Sequence, residues 1–427
     1  MAVLSMHTSP LAQPGTGDGG GMNVYVRQLS SALARRGVAC DVYTRSWSAA
    51  LPSVVEIEPG LKVHHVPAGP LVPLRKEELP DVVADFTQSV LERIGGSSAE
   101  RPDVLHAHYW LSGLAGHVCK HELGVPLIST FHTLDRVKAA ANADETVAES
   151  HRKAAGGGQS DEESALETER RALAEAQVIG CSDAVLASCT VEAMQLADLY
   201  GADPNRIKLV PPGVESAIFS PGDRAQARRA VGVPHDKPLL LFVGRIQPLK
   251  GAELAVHALS QLADRHEASL AVIGGPSGPS GYDTMAELHR MVGALGLEGR
   301  VRFVQPQSHE LLSSWYRAAD VCLVPSRSES FGLVALEAAA CGTPVVASAV
   351  GGLNTLVEHQ RTGFLVEHRD ARRFAAQAQA ILDDPLLAAS MSSAASRRAL
   401  RYTWSAAADS LCSVYESLVG ADLVECA

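Results

Sequence analysis

The feature that most constrains the fold of this chain is a repeated alternation of short apolar runs with helix-length amphipathic segments. In the first half, the apolar runs lie at residues 2–6, 38–44, 104–106, 127–130 and 185–188. Between two of them, Met22, Tyr25, Leu29 and Leu33 recur at helical spacing. Apolar runs of this length are typical of strands covered on both faces, and the alternation predicts a parallel sheet wound with helices.

A second series of the same kind follows Pro211-Pro212-Gly213. Its apolar runs lie at residues 239–243, 270–273, 301–304, 321–324 and 344–347. A chain of 427 residues exceeds what one core usually serves. We therefore predict an α/β protein of two Rossmann-like, doubly wound domains, 1–212 and 213–395, with a helical segment at 396–427. The carboxyl ends of such sheets bind ligands, so the two domains should face across a cleft.

Charge and composition exclude several classes of protein. The 37 Lys and Arg residues are outnumbered by 48 Asp and Glu residues, which is the wrong sign for nucleic-acid or anionic-lipid binding. No apolar run approaches the roughly 18 residues of a membrane span, and no charged n-region precedes the first apolar run. We expect a cytoplasmic protein. The eight cysteines form no C-x-x-C pair, so reduced, mostly buried thiols are expected.

A glycine-rich loop lies between the first predicted strand and the first predicted helix. Five glycines fall within the seven positions 15–21. Backbone N–H groups and the helix dipole at such a place favour a phosphate. A dinucleotide fingerprint would require an acidic residue at the end of the second strand, where Thr44-Arg45 stands instead. The loop therefore predicts a ligand other than a nicotinamide dinucleotide.

Two further loops carry charged groups after predicted strands. Residues 243–251 place Arg245 and Lys250 five positions apart, and two cations of these kinds suit a departing diphosphate. Residues 326–337 place Glu329 and Glu337 eight positions apart. Ionised glutamates only accept hydrogen bonds, so they suit sugar and ribose hydroxyls.

Histidines supply the remaining candidates. His106 and His108 lie in a strand-like run, and without a third ligand at family spacing they do not indicate a zinc site. His7 and His132 follow predicted strands and should line the cleft. Residues 139–164 are acidic, rich in small residues and almost without large apolar side chains, which predicts a mobile surface excursion.

These loops together resemble the retaining glycosyltransferases of family 4, which have the GT-B fold. The donor-side resemblance rests on Gly244-Arg245 with Lys250 and on the pair Glu329 and Glu337. The first half, at residues 6–18, 20–25, 108–113 and 137–138, is similar to the D-inositol-3-phosphate glycosyltransferases of mycothiol biosynthesis. The resemblance covers nearly the whole chain.

The resemblance implies retaining transfer of N-acetylglucosamine from UDP-GlcNAc to 1D-myo-inositol 3-phosphate, the first step of mycothiol biosynthesis. The implied acceptor contacts are His7, Asp18, Gly19, Gly20, Gly21, Met22, Asn23, Lys76, Tyr109, Thr133 and Arg171. The implied donor contacts are Gln13, Pro14, Gly21, Arg245, Lys250, Gln307, Glu329 and Glu337. The implied catalytic residues are His132, Arg245, Lys250 and Glu329.

The family mechanism uses no enzyme nucleophile, because the donor phosphate itself takes the acceptor proton. The resemblance also implies a homodimer and a structural Mg²⁺ at Tyr316, Arg317, Ala319 and Thr343, with no cofactor required for the chemistry. Two alternatives stay open: a family 4 relative that uses another polyol or a sugar phosphate, such as a sucrose-phosphate-synthase-like enzyme, and a sugar-nucleotide epimerase or binding protein of the same fold.

Overall fold

The computed structural model describes residues 1–15, 19–95, 101–140, 160–278 and 281–426, with only the backbone at 160–167 and 263–266. The described chain forms two compact units. Unit one consists of Met1–Ala12, Met22–Pro211 and Ala407–Ala427, and unit two of Gln13–Gly21 and Pro212–Ala406. Most of the predicted excursion at 139–164 lies outside the described residues, but its last part, from Ser160, begins a helix.

Unit one contains an eight-stranded sheet of order β3-β4-β2-β1-β5-β6-β7-β8. Its strands are β1 Ala2–Leu4, β2 Cys40–Ser46, β3 Val54–Glu58, β4 Leu61–Pro67, β5 Leu105–His108, β6 Leu127–Thr130, β7 Ala184–Ala187 and β8 Ile207–Leu209. All pairs are parallel except β3 with β4. The apolar runs predicted the central strands. The two edge strands β3 and β8, and β4 next to one edge, were missed, because polar residues interrupt their apolar pattern.

The helices that cover this sheet follow the predicted alternation. They are α1 Gly21–Ala34, α2 Val83–Gly95, α3 Trp110–Leu123, α4 Ser160–Cys181 and α5 Thr190–Tyr200, with a 3-10 helix at Lys76–Val82. The face of α1 that carries Tyr25, Leu29 and Leu33 is buried, as predicted. Helix α5 ends at Gly201, whose φ of 66° is accessible to glycine at little cost.

Unit two contains a six-stranded, wholly parallel sheet of order β11-β10-β9-β12-β13-β14. Its strands are β9 Leu239–Val243, β10 Ser269–Ile273, β11 Val301–Val304, β12 Val321–Val324, β13 Val345–Ser348 and β14 Gly363–Val366. Its helices are α6 Arg224–Val231, α7 Ala252–His266, α8 Gly281–Ala294, α9 His309–Ala318, α10 Leu333–Ala340, α11 Leu353–Leu356, α12 Ala371–Asp383 and α13 Pro385–Ala399. Two parallel α/β sheets are the predicted architecture.

The last helix, α14 Trp404–Leu418, starts in unit two and continues in unit one. Leu411 and Tyr415 of this helix are buried in unit one. The Tyr415 hydroxyl lies 2.9 Å from Nδ1 of His106, whose other ring nitrogen lies 2.8 Å from the Thr130 hydroxyl. His106 is thus a core histidine with two hydrogen-bond partners.

The prediction of uniformly reduced cysteines is wrong for one pair. Cys181, at the end of α4, and Cys426, in the tail after α14, are joined as a disulfide. The sequence could not indicate this pair, because 245 residues separate the two cysteines and the tail meets α4 only through the fold. The other six cysteines are not in disulfides, and five of them are buried. In the described part of the chain, no helix combines the length and apolar character needed to cross a bilayer.

Candidate active site

The unit-two site begins at the carboxyl ends of the paired strands β9 and β12. The chain leaves β9 through a loop that ends in a 3-10 helix at Pro248–Lys250. Nζ of Lys250 lies 2.7 Å from Oε2 of Glu329, and the Ser326 hydroxyl donates to the same oxygen at 3.2 Å. Both charged side chains keep about a fifth of their surface exposed, 23% and 17%. The predicted cation and the first predicted carboxylate are therefore direct neighbours that a ligand can reach.

Arg245 lies beside the glycine-rich loop. A Cβ atom on Gly20 would come within 3.3 Å of Nε of Arg245, so the loop backbone approaches the guanidinium closely. The Arg245 side chain also donates to the hydroxyl of Ser277 at 3.4 Å. The resemblance assigns Gly21 of this loop and Arg245 to the same ligand, the donor. In the structure the loop and Arg245 are adjacent within unit two.

A glycine pair after β10 was missed by the sequence analysis. Gly274 has a φ of 154°, and a Cβ atom there would lie 1.9 Å from the carbonyl oxygen of Gly244. Only glycine permits this approach between the loops that follow β9 and β10. The signal was present in the sequence, since Gly274-Gly275 directly follow the apolar run 270–273.

The predicted donor residues outside these loops also come together. The side-chain amide of Gln13 donates to the carbonyl oxygen of Pro306 at 3.5 Å, and that of Gln307 donates to the same oxygen at 3.4 Å. A Cβ atom on Gly15 would lie 3.1 Å from Cβ of Pro306. The segment that contains Pro14 thus lies against the loop that follows β11. Gly21 lies near Leu333, at the start of α10.

Glu337 is the buried acid of unit two. It lies on α10 and is 8% exposed, and the hydroxyl of Tyr316 donates to its Oε2 at 2.8 Å. Burial raises the pKa of Glu337 to about 7, although the hydrogen bond from Tyr316 acts in the opposite direction. A group with this pKa changes charge near neutral pH, which an exposed glutamate would not do.

The unit-one site is a cluster of four side chains, of which Arg171 is the central one. The Arg171 guanidinium donates to the carbonyl oxygen of Thr133 at 2.9 Å and to its hydroxyl at 3.1 Å. It stacks 5.0 Å above the ring of Tyr109, and that ring lies 4.8 Å from the ring of His7. His7, Tyr109 and Thr133 follow the adjacent strands β1, β5 and β6. The structure therefore brings together four of the predicted acceptor residues.

Two carboxylates that the sequence analysis missed support Arg171. Nε of Arg171 donates to Oε1 of the fully buried Glu175 at 2.8 Å, and Asp135 lies 3.7 Å from the guanidinium. The backbone N–H of Asp135 and the hydroxyl of Tyr200 donate to the other oxygen of Glu175. Burial raises the pKa of Asp135, and the charge of Arg171 opposes that shift. The spacing of Arg171 and Glu175, four residues apart on a helix, was the available signal.

His132 has a backbone conformation that is uncommon outside glycine. Its φ is 62°, and Tyr109, at the end of the neighbouring strand, has a φ of 74°. Nε2 of His132 lies 3.0 Å from Nδ1 of His108, and the Tyr25 ring packs edge-on at 5.0 Å. Burial lowers the pKa of His132 to about 3, so its imidazole is neutral at pH 7. A neutral ring can exchange hydrogen bonds with a sugar but cannot act as a cation.

The remaining predicted acceptor residues are described to different extents. Asp18 lies outside the described residues, and Lys76 is half-buried at the start of its 3-10 helix. The side-chain amide of Asn23, next to Met22, donates to the carbonyl oxygen of Ser9 at 2.5 Å. The carbonyl oxygen of Gly19 accepts from the N–H of Gly15 at 2.9 Å. The acceptor roles of these residues stay predictions.

The predicted Mg²⁺ ligands lie together at the end of α9, where the carbonyl oxygen of Tyr316 is engaged by two of its neighbours. The Tyr316 carbonyl accepts from the Thr343 hydroxyl at 2.5 Å and from the N–H of Ala319 at 3.2 Å, which uses both of its lone pairs. The Arg317 side chain binds carbonyl oxygens of Ile218 and Ser220. None of the four residues supplies a carboxylate, the ligand that Mg²⁺ most often takes from proteins. The Mg²⁺ site stays a prediction, and the reaction as proposed below needs no metal.

Comparison with known proteins places these sites in a family context. The model of the family "Glycosyl transferases group 1" matches residues 223–398, and that of the "Glycosyl transferase 4-like domain" matches residues 20–213. The chain is 47% identical to a D-inositol 3-phosphate glycosyltransferase of Geodermatophilus obscurus, over 97% of this chain and 88% of that protein. It is 45% identical to D-inositol 3-phosphate glycosyltransferase 2 of Catenulispora acidiphila, over 97% and 94%.

Among solved structures, the sucrose-phosphate synthase from Thermosynechococcus elongatus superposes with a TM-score of 0.87. The two chains are 33% identical, and the match covers 99% of each. The glycosyltransferase WaaG of lipopolysaccharide biosynthesis shares the fold at 18% identity, with a TM-score of 0.70. Together with the two parallel sheets, these similarities confirm the predicted GT-B fold class.

Proposed function

Because the chain belongs to the D-inositol 3-phosphate glycosyltransferase family and is a glycosyltransferase, we propose that it transfers N-acetylglucosamine from UDP-GlcNAc to 1D-myo-inositol 3-phosphate. The observation that carries the acceptor assignment is the cluster of Arg171, Thr133 and Tyr109 at the ends of adjacent strands. A guanidinium that stacks on a tyrosine ring and donates to a threonine hydroxyl offers a phosphate one fixed charge and several donors.

The donor is assigned to unit two. The nearby cations Arg245 and Lys250 stabilise the negative charge that grows on the diphosphate as the bond between it and the sugar carbon breaks. Glu329 accepts hydrogen bonds from sugar hydroxyls, and its ion pair with Lys250 holds both side chains in place. Gln13 and Gln307 donate to the same carbonyl oxygen, that of Pro306 in the loop after β11, and we assign both to the donor site.

The transfer step needs no nucleophile from the protein. The acceptor hydroxyl oxygen forms a bond to the sugar carbon on the face from which the diphosphate leaves, and the hydroxyl proton passes to an oxygen of the departing diphosphate. The configuration at carbon is therefore retained. His132, which is neutral at pH 7, serves as a hydrogen-bonding group for the transferred sugar. The homodimer rests on the resemblance alone and stays a prediction.

The proposed function is tested by the mass of the product and by UDP release. Purified protein receives UDP-GlcNAc with 1D-myo-inositol 3-phosphate, with free myo-inositol, or with no acceptor. We expect an inositol phosphate that carries one N-acetylhexosamine, formed only with the phosphorylated acceptor. Equal turnover of free myo-inositol would contradict the phosphate assignment, and hydrolysis without acceptor at the same rate would contradict transfer.

The matched variant for this assay is Arg171→Lys. It keeps the charge opposite Glu175 and Asp135 but loses the planar fork, so the protein should fold while phosphate recognition suffers. We expect a rise of about 10- to 100-fold in the KM for the phosphorylated acceptor, with an unchanged KM for UDP-GlcNAc. If the KM values for both substrates rise equally in this variant, the assignment of Arg171 to the acceptor site is wrong.

A second candidate function is supported by the similarity to sucrose-phosphate synthase over the whole chain. The name of that enzyme indicates a phosphorylated sugar product, and the Arg171 cluster would also suit the phosphate of such a molecule. Addition of UDP-glucose with a ketohexose phosphate to the assay separates the two candidates. Product from this pair, and none from the inositol pair, would establish the second function.

The pKa of Glu337 predicts a pH dependence of nucleotide binding. If ionised Glu337 accepts hydrogen bonds from the ribose, then below pH 7 a proton must first leave the acid. Affinity for UDP should therefore rise with pH between about pH 6 and pH 8, by up to about tenfold, and level off above that range. Titration calorimetry would measure the affinity for UDP of Glu337→Gln and of the unaltered protein at each pH. The ratio of the two affinities is independent of the ionisation of UDP itself, because that ionisation affects both proteins equally.

The matched control for this prediction is Lys76→Ala, because Lys76 is assigned to the other substrate. That variant should keep both the affinity for UDP and its pH dependence. Glu337→Gln should bind UDP more weakly, and the part of the pH dependence that comes from Glu337 should be missing. A pH profile that is the same in Glu337→Gln and the unaltered protein would exclude Glu337 from the nucleotide site.

A further inference from the structure

A second cluster of chemically active side chains lies in unit one, where the C-terminal tail meets helices α3 and α4. His117 and His121 lie one turn apart on α3, Cys181 ends α4, and Cys426 lies in the tail. Nδ1 of His117, Sγ of Cys181 and Sγ of Cys426 all lie within 4.8 Å of one another. Nε2 of His121 lies 3.1 Å from Sγ of Cys426. Two sulfurs and one imidazole nitrogen thus lie within reach of a single ion, and the second imidazole contacts one of those sulfurs.

The tail is held at this point by contacts that do not involve the four side chains of the cluster. Lys120, between the two histidines in sequence, is completely buried, and its Nζ donates to the carbonyl oxygens of Cys181 at 2.8 Å and Val424 at 2.9 Å. The N–H of Val424 in turn donates to Oδ1 of Asp183 at 2.7 Å. The position of Cys426 beside Cys181 therefore follows from backbone hydrogen bonds two residues away.

The cluster has the composition of a zinc site. Two thiolates and two neutral imidazoles form one of the common tetrahedral ligand sets for Zn²⁺. Histidines at positions i and i+4 of a helix lie on the same face, so both can reach one ion. The cysteines come from separate elements, as in sites where a metal joins distant parts of a chain. The predicted metal site at the end of α9 has none of these soft ligands.

We propose that Cys181, Cys426, His117 and His121 bind one Zn²⁺ when the two cysteines are reduced, and that the ion fixes the C-terminal tail to unit one. The sulfurs are joined as a disulfide in this structure, and a thiol reductant converts the disulfide to two thiols as the reductant itself becomes a disulfide. Binding of Zn²⁺ then releases the two thiol protons and forms two zinc–sulfur bonds.

The proposal is tested by metal content, which is independent of glycosyl transfer. The full chain is reduced, incubated with a slight excess of zinc and freed of unbound metal in the presence of reductant. We expect about one zinc per chain in the unaltered protein and at least a tenfold lower content in Cys426→Ser and His117→Gln. The control is Cys412→Ser, which alters a partly exposed thiol on α14 in the same unit and should keep the full zinc content.

A second measurement identifies the ligands. Reduced protein with Co²⁺ in place of Zn²⁺ should show the absorption of a tetrahedral cobalt centre with thiolate ligands, and Cys426→Ser should lose the intensity of one thiolate. Circular dichroism checks that the Cys426→Ser variant is folded. The proposal fails if reduced wild-type protein holds no more zinc than Cys426→Ser, or if the two cysteines stay paired as a disulfide in the zinc-loaded protein.

Discussion

Replacement of Lys250 by alanine is expected to lower kcat about 10²- to 10³-fold, because a cation that stabilises charge developing on a leaving group acts mainly in the transition state. The effect on folding should be small. Lys250 and Glu329 are both partly exposed, and ion pairs of this kind contribute about 1 kcal/mol or less to the free energy of unfolding. Steady-state kinetics with UDP-GlcNAc, beside urea unfolding of the same preparation, measures both quantities.

The matched control for Lys250 is Lys237→Ala. Lys237 forms an ion pair of similar length, 3.0 Å, with Glu267 on the surface of the same unit. This variant should change neither kcat nor the free energy of unfolding appreciably. If Lys250→Ala keeps the turnover of the unaltered protein, Lys250 does not stabilise the leaving diphosphate. If the free energy of unfolding of Lys250→Ala falls enough to account for the loss of activity, the role of Lys250 is structural.

Replacement of Lys120 by methionine is expected to lower the free energy of unfolding by about 3–5 kcal/mol, because it leaves the Asp183 carboxylate buried without its cation. The Lys120 side chain is 0% exposed and that of Asp183 is 4% exposed, with Nζ 2.9 Å from Oδ2. Lys120 also donates to two carbonyl oxygens, which lose their partner in the variant. Thermal and urea unfolding of the full chain would measure the loss.

Two further variants separate the buried charge from the loss of a lysine. Lys62→Met removes an exposed lysine of β4 in the same unit and should be nearly neutral. Lys120→Met combined with Asp183→Asn removes the uncompensated charge while an amide oxygen still accepts from the N–H of Leu127, so part of the stability should return. A Lys120→Met protein as stable as Lys62→Met would show that the pair contributes little.

The central strands and the loops after them could be predicted from sequence because local physics determines both. An apolar run such as 239–243 must be covered on two faces, and the charged loop that follows it must lie at an edge of the sheet. Lys250 and Glu329 could therefore be assigned to one site before their distance was known. Edge strands such as Val54–Glu58 could not be recognised, since one side of an edge is exposed and tolerates polar residues.

The surroundings of the site residues were beyond sequence reasoning. Arg171 was identified by resemblance, but the burial of Glu175 beneath it and the contact with Tyr109 depend on how α4 packs against the ends of β5 and β6. The pKa of Glu337 near 7 has the same origin, because an exposed helix glutamate and a buried one have identical sequence patterns. Burial is a property of the packed unit, and it sets the charge of such groups.

The sequence by itself determined the two α/β units, the positions of the glycine-rich and charged loops, and the family. Strand periodicity, glycine placement and charged residues are local features, and a parallel sheet brings the loops that follow its strands to its carboxyl edge. Only the tertiary structure decided the return of the tail to unit one, the pairing of Cys181 with Cys426 and the burial of Lys120 against Asp183. These contacts join segments tens to hundreds of residues apart, and their energy comes from desolvation and packing that exist only once the chain has folded.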